Sequence, residues 1–219
     1  YATDPLHIYY SADDGLTWSI IHTAPATDKW HYHDVALDPY SNPLRIWFCN
    51  GDAYSSANIY YTDDLGVTWN KFWDDGKAKF QATTICILPD VVLFGTDSAQ
   101  FRGVMRYIRG LTQPEYDSYP VIDPIYKANP YYGDLVVSTG RGMQFGNEVY
   151  FVGENGKLVG TRDGINFYTL WEEQSTLVGF EPWLHNVWRT DAGKLIGRYR
   201  NNNTEYYWEA DAPTWVKIL

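Results

Sequence analysis

Cysteine and methionine are nearly missing from the 219 residues, with two of each. Cys49 and Cys86 sit in apolar runs, IWFC and TICIL, without metal-ligand spacing, so a thiolate cluster or a disulfide framework is excluded and buried free thiols are expected. Positive charge is also short: 17 Lys and Arg stand against 27 Asp and Glu, a net charge of -10. A surface of that sign repels a phosphate backbone, which sets nucleic-acid binding aside. No stretch approaches the roughly 18 apolar residues of a helical membrane span, and no basic segment leads into an apolar one as a signal peptide would. Nowhere does hydrophobicity hold a 3.6-residue period, so no long helix is expected.

What the chain has in quantity is aromatic. Trp 10, Tyr 19 and Phe 9 make up 17% of it, and hydrophobic types reach 45%, enough to fill a core. Aromatic and β-branched residues favour the pleated, half-buried surface of a sheet, so an all-β chain is expected.

A repeat organises these residues. Tyr9-Tyr10-Ser11-Ala12-Asp13-Asp14-Gly15-Leu16-Thr17-Trp18 returns as Tyr60-Tyr61-Thr62-Asp63-Asp64-Leu65-Gly66-Val67-Thr68-Trp69. A shortened copy runs from Thr161 through Asp163, Gly164 and Asn166 to Phe167, and a decayed one from Asp211 to Trp215. The closing aromatics Trp18, Trp69, Phe167 and Trp215 recur at about fifty residues or twice that, with one silent copy near residue 118. Each copy places a polar Asp/Gly turn between two β-rich runs, the pattern of a hairpin. Two further apolar runs precede each hairpin: His33 to Leu37 and Leu44 to Cys49, Thr83 to Leu88 and Val91 to Gly95, Asp134 to Ser138 and Glu148 to Val152, Leu184 to Arg189 and Lys194 to Gly197. Four strands in about fifty residues is the unit of a β-propeller blade.

The pattern S/T-x-D-x-G-x-T-W/F at residues 11–18 and 62–69, and its shorter form at 161–167, resembles the Asp-box, or BNR repeat, of sialidase-like β-propellers. The resemblance implies a scaffold role for Ser11, Asp13, Gly15, Thr17 and Trp18, for Thr62, Asp64, Gly66, Thr68 and Trp69, and for Thr161, Asp163, Gly164 and Phe167. Side-chain oxygens satisfy the turn, the glycines take positive φ, and Trp18 and Trp69 are expected to bury apolar area between blades. One propeller over 1–219 is expected, divided as a half blade (1–18) and blades at 19–69, 70–118, 119–167 and 168–219. Five blades are favoured and six are the alternative, the first blade being incomplete in a chain that reads as cut from a larger protein.

Strand parity separates two faces. The box turns join third to fourth strands, so the second-to-third loops and the links between blades share the opposite face. That face collects Trp30, His31, His33, Asp52, Tyr54, Asp97, Arg102, Glu154, Trp183, His185 and Arg200. Aromatic planes beside hydrogen-bonding groups suit a sugar, stacking on its C–H faces and meeting its hydroxyls. For His31 and His33 with Asp52, structural hydrogen bonding, ligand contact and metal ligation stand side by side. The two imidazoles are expected to leave the strand on opposite sides unless the strand is irregular, which counts against joint ligation. The proline- and tyrosine-rich stretch from Gly110 to Asp134 replaces the third blade's hairpin and reads as a stiffened connection or a contact loop.

A sialidase needs an arginine cluster, a Tyr/Glu nucleophile pair and an acidic general acid. The R-I-P motif of that family is not matched, since Arg45-Ile46 lacks the proline. The segment W-H-Y-H-D-V-x-x-D-P-Y, followed by I-W-F-C-N-G-D, is similar to blades of Asp-box propellers in phage tail proteins. That resemblance implies a non-catalytic domain of a phage tail fibre or receptor-binding protein, on the virion tail and outside the cell, binding a bacterial surface polysaccharide within a homotrimeric parent. A glycoside hydrolase with an acidic site at the propeller mouth, from Asp52, Asp97 and Glu154, is the alternative. No cofactor is implied, apart from a divalent cation that would bridge an anionic glycan to the acidic surface.

Overall fold

The computed structural model describes residues 5–24, 31–51, 57–73, 82–96, 103–110, 142–152, 157–172, 183–190, 193–201 and 204–210. Every regular element among them is a strand, and all pairings are antiparallel between neighbours in sequence. The fold class is thus the expected one, all-β and built of the antiparallel meanders that form propeller blades.

Two compact units divide the chain, residues 1–82 and 83–219. The first holds the pair β1 (His7–Tyr10) and β2 (Ser19–Thr23), and the four-stranded sheet β3 (Tyr32–Asp38), β4 (Arg45–Asn50), β5 (Asn58–Thr62) and β6 (Asn70–Trp73). Its core is aromatic. Phe48, fully buried, lies 4.7 Å from His22 of β2 and 4.8 Å from Trp69, ring centre to ring centre, and stacks on Tyr60 at 4.9 Å. Odd and even residues of β4 face opposite ways, so Trp47, also fully buried, packs instead against Tyr61 and Phe72. Each such ring contributes on the order of 2–3 kcal/mol by leaving water.

The second unit holds β7 (Ala82–Ile87), whose first residue closes the first unit, β8 (Val91–Thr96) and β9 (Gly103–Ile108); β10 (Gly142–Phe145), β11 (Glu148–Val152), β12 (Lys157–Thr161) and β13 (Phe167–Glu172); and β14 (Trp183–Arg189), β15 (Leu195–Asn201) and β16 (Thr204–Ala210). Continuous apolar runs such as VVLF and TICI are buried on both faces, which is why they do not alternate. Cys86, Leu88, Val91, Leu93, Val104, Val149, Phe151 and Val159 join in one core cluster, with Phe167 packed against it. Cys49 and Cys86 are buried free thiols, as expected.

Two readings change. The sheet holding Glu148 takes Gly142–Phe145, which the sequence did not mark as a strand, as its first described strand, paired residue for residue with β11; Asp134 to Ser138 lies outside the described residues. Trp18 is 62% exposed and its indole N–H turns back to the Gly15 carbonyl at 3.0 Å, so it does not bury the area expected of it. Trp69 does: it packs on His22 and Phe48 and donates to the Ile21 carbonyl of β2 at 2.9 Å.

Candidate functional site

The backbone is irregular where β3 begins. Tyr32 pairs with Asn50 and Asp34 with Cys49, which leaves His33 as an extra residue in a bulge. Such bulges re-aim a side chain, and they gather beside binding sites. Here the result is a pair of imidazoles: His31 Nε2 and His33 Nε2 are 2.9 Å apart, with ring centres at 4.6 Å and planes 54° apart. The other nitrogen of His33, Nδ1, donates to the Ala82 carbonyl at 2.9 Å. This bond places the His33 proton on Nδ1 and leaves Nε2 to accept from His31.

The expectation that these imidazoles point apart is therefore corrected. Alternation sends neighbours i and i+1 to opposite faces but returns i+2 to the first, and His31 and His33 are two apart. His31 is exposed and His33 half-buried, so the pair is open to solvent on one side. It lies at the end of the sheet where β4 leads into β5, and the Gly51 N–H reaches the His31 carbonyl at 3.4 Å.

The same irregularity recurs in the second unit. Leu184 pairs with Tyr199 and Asn186 with Arg198, so His185 is the extra residue at the start of β14. Tyr32-His33-Asp34-Val35 and Leu184-His185-Asn186-Val187 thus occupy matching register positions in two first strands. Sequence reading picked both histidines but missed that they form a repeat, although x-His-Asp/Asn-Val was there to find. Trp183 and Arg200 are register partners across β14 and β15. Trp30, Asp52, Tyr54, Asp97, Arg102 and Glu154 lie outside the described residues.

At the opposite end of the strands the repeated turns are closed by their own side chains. Ser11 Oγ donates to Asp13 at 2.8 Å and accepts the Gly15 N–H at 2.7 Å, while Asp13 takes both the backbone N–H and the hydroxyl of Thr17. Thr62, Asp64, Gly66 and Thr68 repeat that set bond for bond. The Thr68 hydroxyl and N–H, then Thr62, draw the Asp64 carboxyl down to about 2 from an ordinary 3.8. In the shortened copy Asn166 replaces the threonine: Asp163 accepts its side-chain and backbone N–H groups at 2.7 Å each. Gly15, Gly66 and Gly164 all have positive φ, as the turn requires. These carboxylates hold turns.

Two charged clusters and one amide contact escaped sequence reading because their members lie apart in the sequence. Arg45 makes a bidentate pair with Asp63 at 2.7 and 2.8 Å, its guanidinium 4.0 Å from the Tyr61 ring centre. Glu148 receives Arg162 at 2.7 Å, Arg189 at 2.5 Å and the Tyr150 hydroxyl at 2.8 Å. Burial pushes the Glu148 carboxyl up, but bonds from Arg162 and Tyr150 and the charge of Arg189 outweigh it and hold it below the usual glutamate range. Burial, then the Glu148 carboxylate, pushes the Tyr150 phenol up. The Gln144 amide bonds both the N–H and the carbonyl of Ile87, tying β10 to β7. No group of three or more His, Cys, Asp or Glu able to hold a metal occurs among the described residues.

No protein-family model and no curated protein matches the chain. Among solved structures it is similar to YCF48 bound to D1 peptide, at 13% identity and a TM-score of 0.42 over 82% of this chain and 57% of that one. It is similar also to an endo-arabinase from Bacteroides thetaiotaomicron VPI-5482, at 14% identity and a TM-score of 0.36, over 85% of this chain and 79% of that one. YCF48 from Cyanidioschyzon merolae is a third likeness, at 14% identity and a TM-score of 0.38 over 86% and 61% of the respective chains. The chain spans little more than half the length of the first of these.

Proposed function

We propose that the chain is an Asp-box propeller domain that binds carbohydrate without cleaving it, as part of a phage tail fibre or receptor-binding protein that recognises a bacterial cell-surface glycan. The observation that carries this reading is the bulged start of β3, which sets two imidazoles side by side at the end of the strands away from the repeated turns. Imidazole edges accept from and donate to hydroxyls, and Trp30 and Tyr54 flank β3 and β4 in the sequence as rings of the kind that stack on sugar.

Among the described residues, several groups of the kind that hydrolysis of an anionic sugar would call on are engaged in other bonds. Arg45, Arg162 and Arg189 are paired with carboxylates, and the Tyr150 phenol is bound to Glu148 with its proton more firmly held than in water. A nucleophilic tyrosine needs the reverse. With a net charge of -10, the domain suits a neutral glycan better than a polyanion. Repetition of a weak site around a homotrimer on the virion tail would supply avidity.

A glycan array read with the multimerised domain, followed by a reducing-end assay on every hit, tests the reading. Binding without release of sugar, weakened about ten-fold by His33→Ala, is the expected result. Release of sugar at enzymatic turnover would replace it with the glycoside hydrolase reading.

A further inference from the structure

We infer that His31 and His33 form a chelating site for a divalent first-row ion that takes ligands at right angles, copper(II) or nickel(II). The inference stands apart from the glycan reading and rests on geometry. Two nitrogens each about 2.0–2.1 Å from an ion, subtending 90°, are separated by about 2.9 Å, whereas a tetrahedral angle opens them to about 3.3 Å. The Nε2 atoms stand 2.9 Å apart. Ring centres give a second, independent measure: with a ring radius of about 1.2 Å added, right-angle convergence predicts about 4.6 Å and tetrahedral about 5.3 Å. The observed separation is 4.6 Å.

Orientation agrees. Metal-bound histidines commonly donate their second ring N–H to a carbonyl, which fixes the tautomer and turns the lone pair toward the ion. His33 does so through Nδ1 to the Ala82 carbonyl, leaving Nε2 as the ligand atom. His31 must then carry its single ring proton on Nδ1 instead of between the rings, a change of tautomer that exposes the Nε2 lone pair to the ion. No residue is oxidised or reduced, and no proton is lost from the pair. His31 is exposed, so an ion reaches the pair from solvent. A β-bulge at His33 makes the arrangement rigid at the backbone, so the chelate is largely formed before the ion arrives.

Copper(II) titrated into the whole chain, followed by calorimetry and by electron paramagnetic resonance, decides the matter. The expected result is one equivalent bound with hyperfine splitting from two ring nitrogens, and an affinity at least about ten-fold lower in His31→Ala and in His33→Asn. His33→Asn keeps a side-chain donor for the Ala82 carbonyl, and unchanged circular dichroism shows that the variants fold. His7→Ala, which removes a histidine bonded to Thr23 instead, leaves binding unchanged. An unaltered isotherm in His31→Ala, a one-nitrogen spectrum, or loss of copper in His7→Ala overturns the inference.

Discussion

A Cβ added to Gly66 would stand 2.5 Å from the carbonyl oxygen of Ile21, the same oxygen that accepts the Trp69 indole N–H. The repeated turn of one sheet is thereby docked against the last strand of the sheet before it. Gly15 has the same positive φ, but the nearest atom to its missing Cβ is in Trp18 at 3.6 Å. Both positions disfavour an L side chain by about 1–2 kcal/mol; only Gly66 adds a collision with backbone. Gly15→Ala is therefore expected to cost about 1 kcal/mol and Gly66→Ala about 3 kcal/mol, measured by urea denaturation of the two variants. Equal costs would mean that the turn's conformation matters and its docking does not.

The two closing tryptophans separate in the same way. Trp69 touches His22 and Phe48 and holds a hydrogen bond across sheets, whereas Trp18 is 62% exposed and bonds within its own turn. Trp69→Ala is expected to destabilise by about 3–4 kcal/mol and Trp18→Ala by less than about 1 kcal/mol. Thermal melts of the pair provide the comparison.

How far such distinctions were legible follows from their range. The repeated turns could be read because their bonds run over four residues or fewer and are made by the residues that define the pattern, as Ser11 to Gly15 and Asp13 to Thr17 do. Nothing local separates Trp18 from Trp69, since the difference lies in what is packed beside them. Gly142–Phe145 was missed as a strand because GMQF is short and partly polar; its place is fixed by the Gln144 amide on Ile87, 57 residues away. At the candidate site, residue types were legible and geometry was not. His31 and His33 meet where a bulge falls between Tyr32 and Asp34, and the bulge has no signature in one copy of the sequence.

Acid should loosen the repeated turns as their aspartates take up protons. Asp64 is drawn down to about 2, chiefly by the hydroxyl and N–H of Thr68, and Asp13 and Asp163 are drawn down as well. A carboxyl depressed by folding adds stability that is whole above its ordinary value of 3.8 and fades as pH falls toward the folded value. The window for Asp64 thus runs from about pH 4 to about pH 2. The prediction is a melting temperature that is level above about pH 5 and drops across that window, with a shallower drop in Asp64→Asn. An identical profile in the variant would assign acid lability to other carboxyls.

Glu148 and Tyr150 provide the sharpest test of the proposal that the chain binds sugar without cleaving it. Together with Arg162 and Arg189 they make a Tyr/Glu/Arg constellation, the residue types that a sialidase-like centre uses. The geometry opposes that use: both arginines face the carboxylate, the Tyr150 side chain is fully buried, and its phenol is shifted away from ionisation. The cluster also lies at the turn end of the strands, with Arg162 inside the shortened repeat. Tyr150→Phe is expected to lower stability by about 1 kcal/mol, the worth of one hydrogen bond to a charged group less its desolvation, and to leave glycan binding unchanged. Glu148→Gln should cost more, about 2 kcal/mol, because two guanidinium groups lose their counter-charge in a partly buried place. Denaturation curves and array binding, measured on the same preparations, check both halves. Loss of sugar release in Tyr150→Phe, from a wild-type chain that releases it, would make this cluster a catalytic centre.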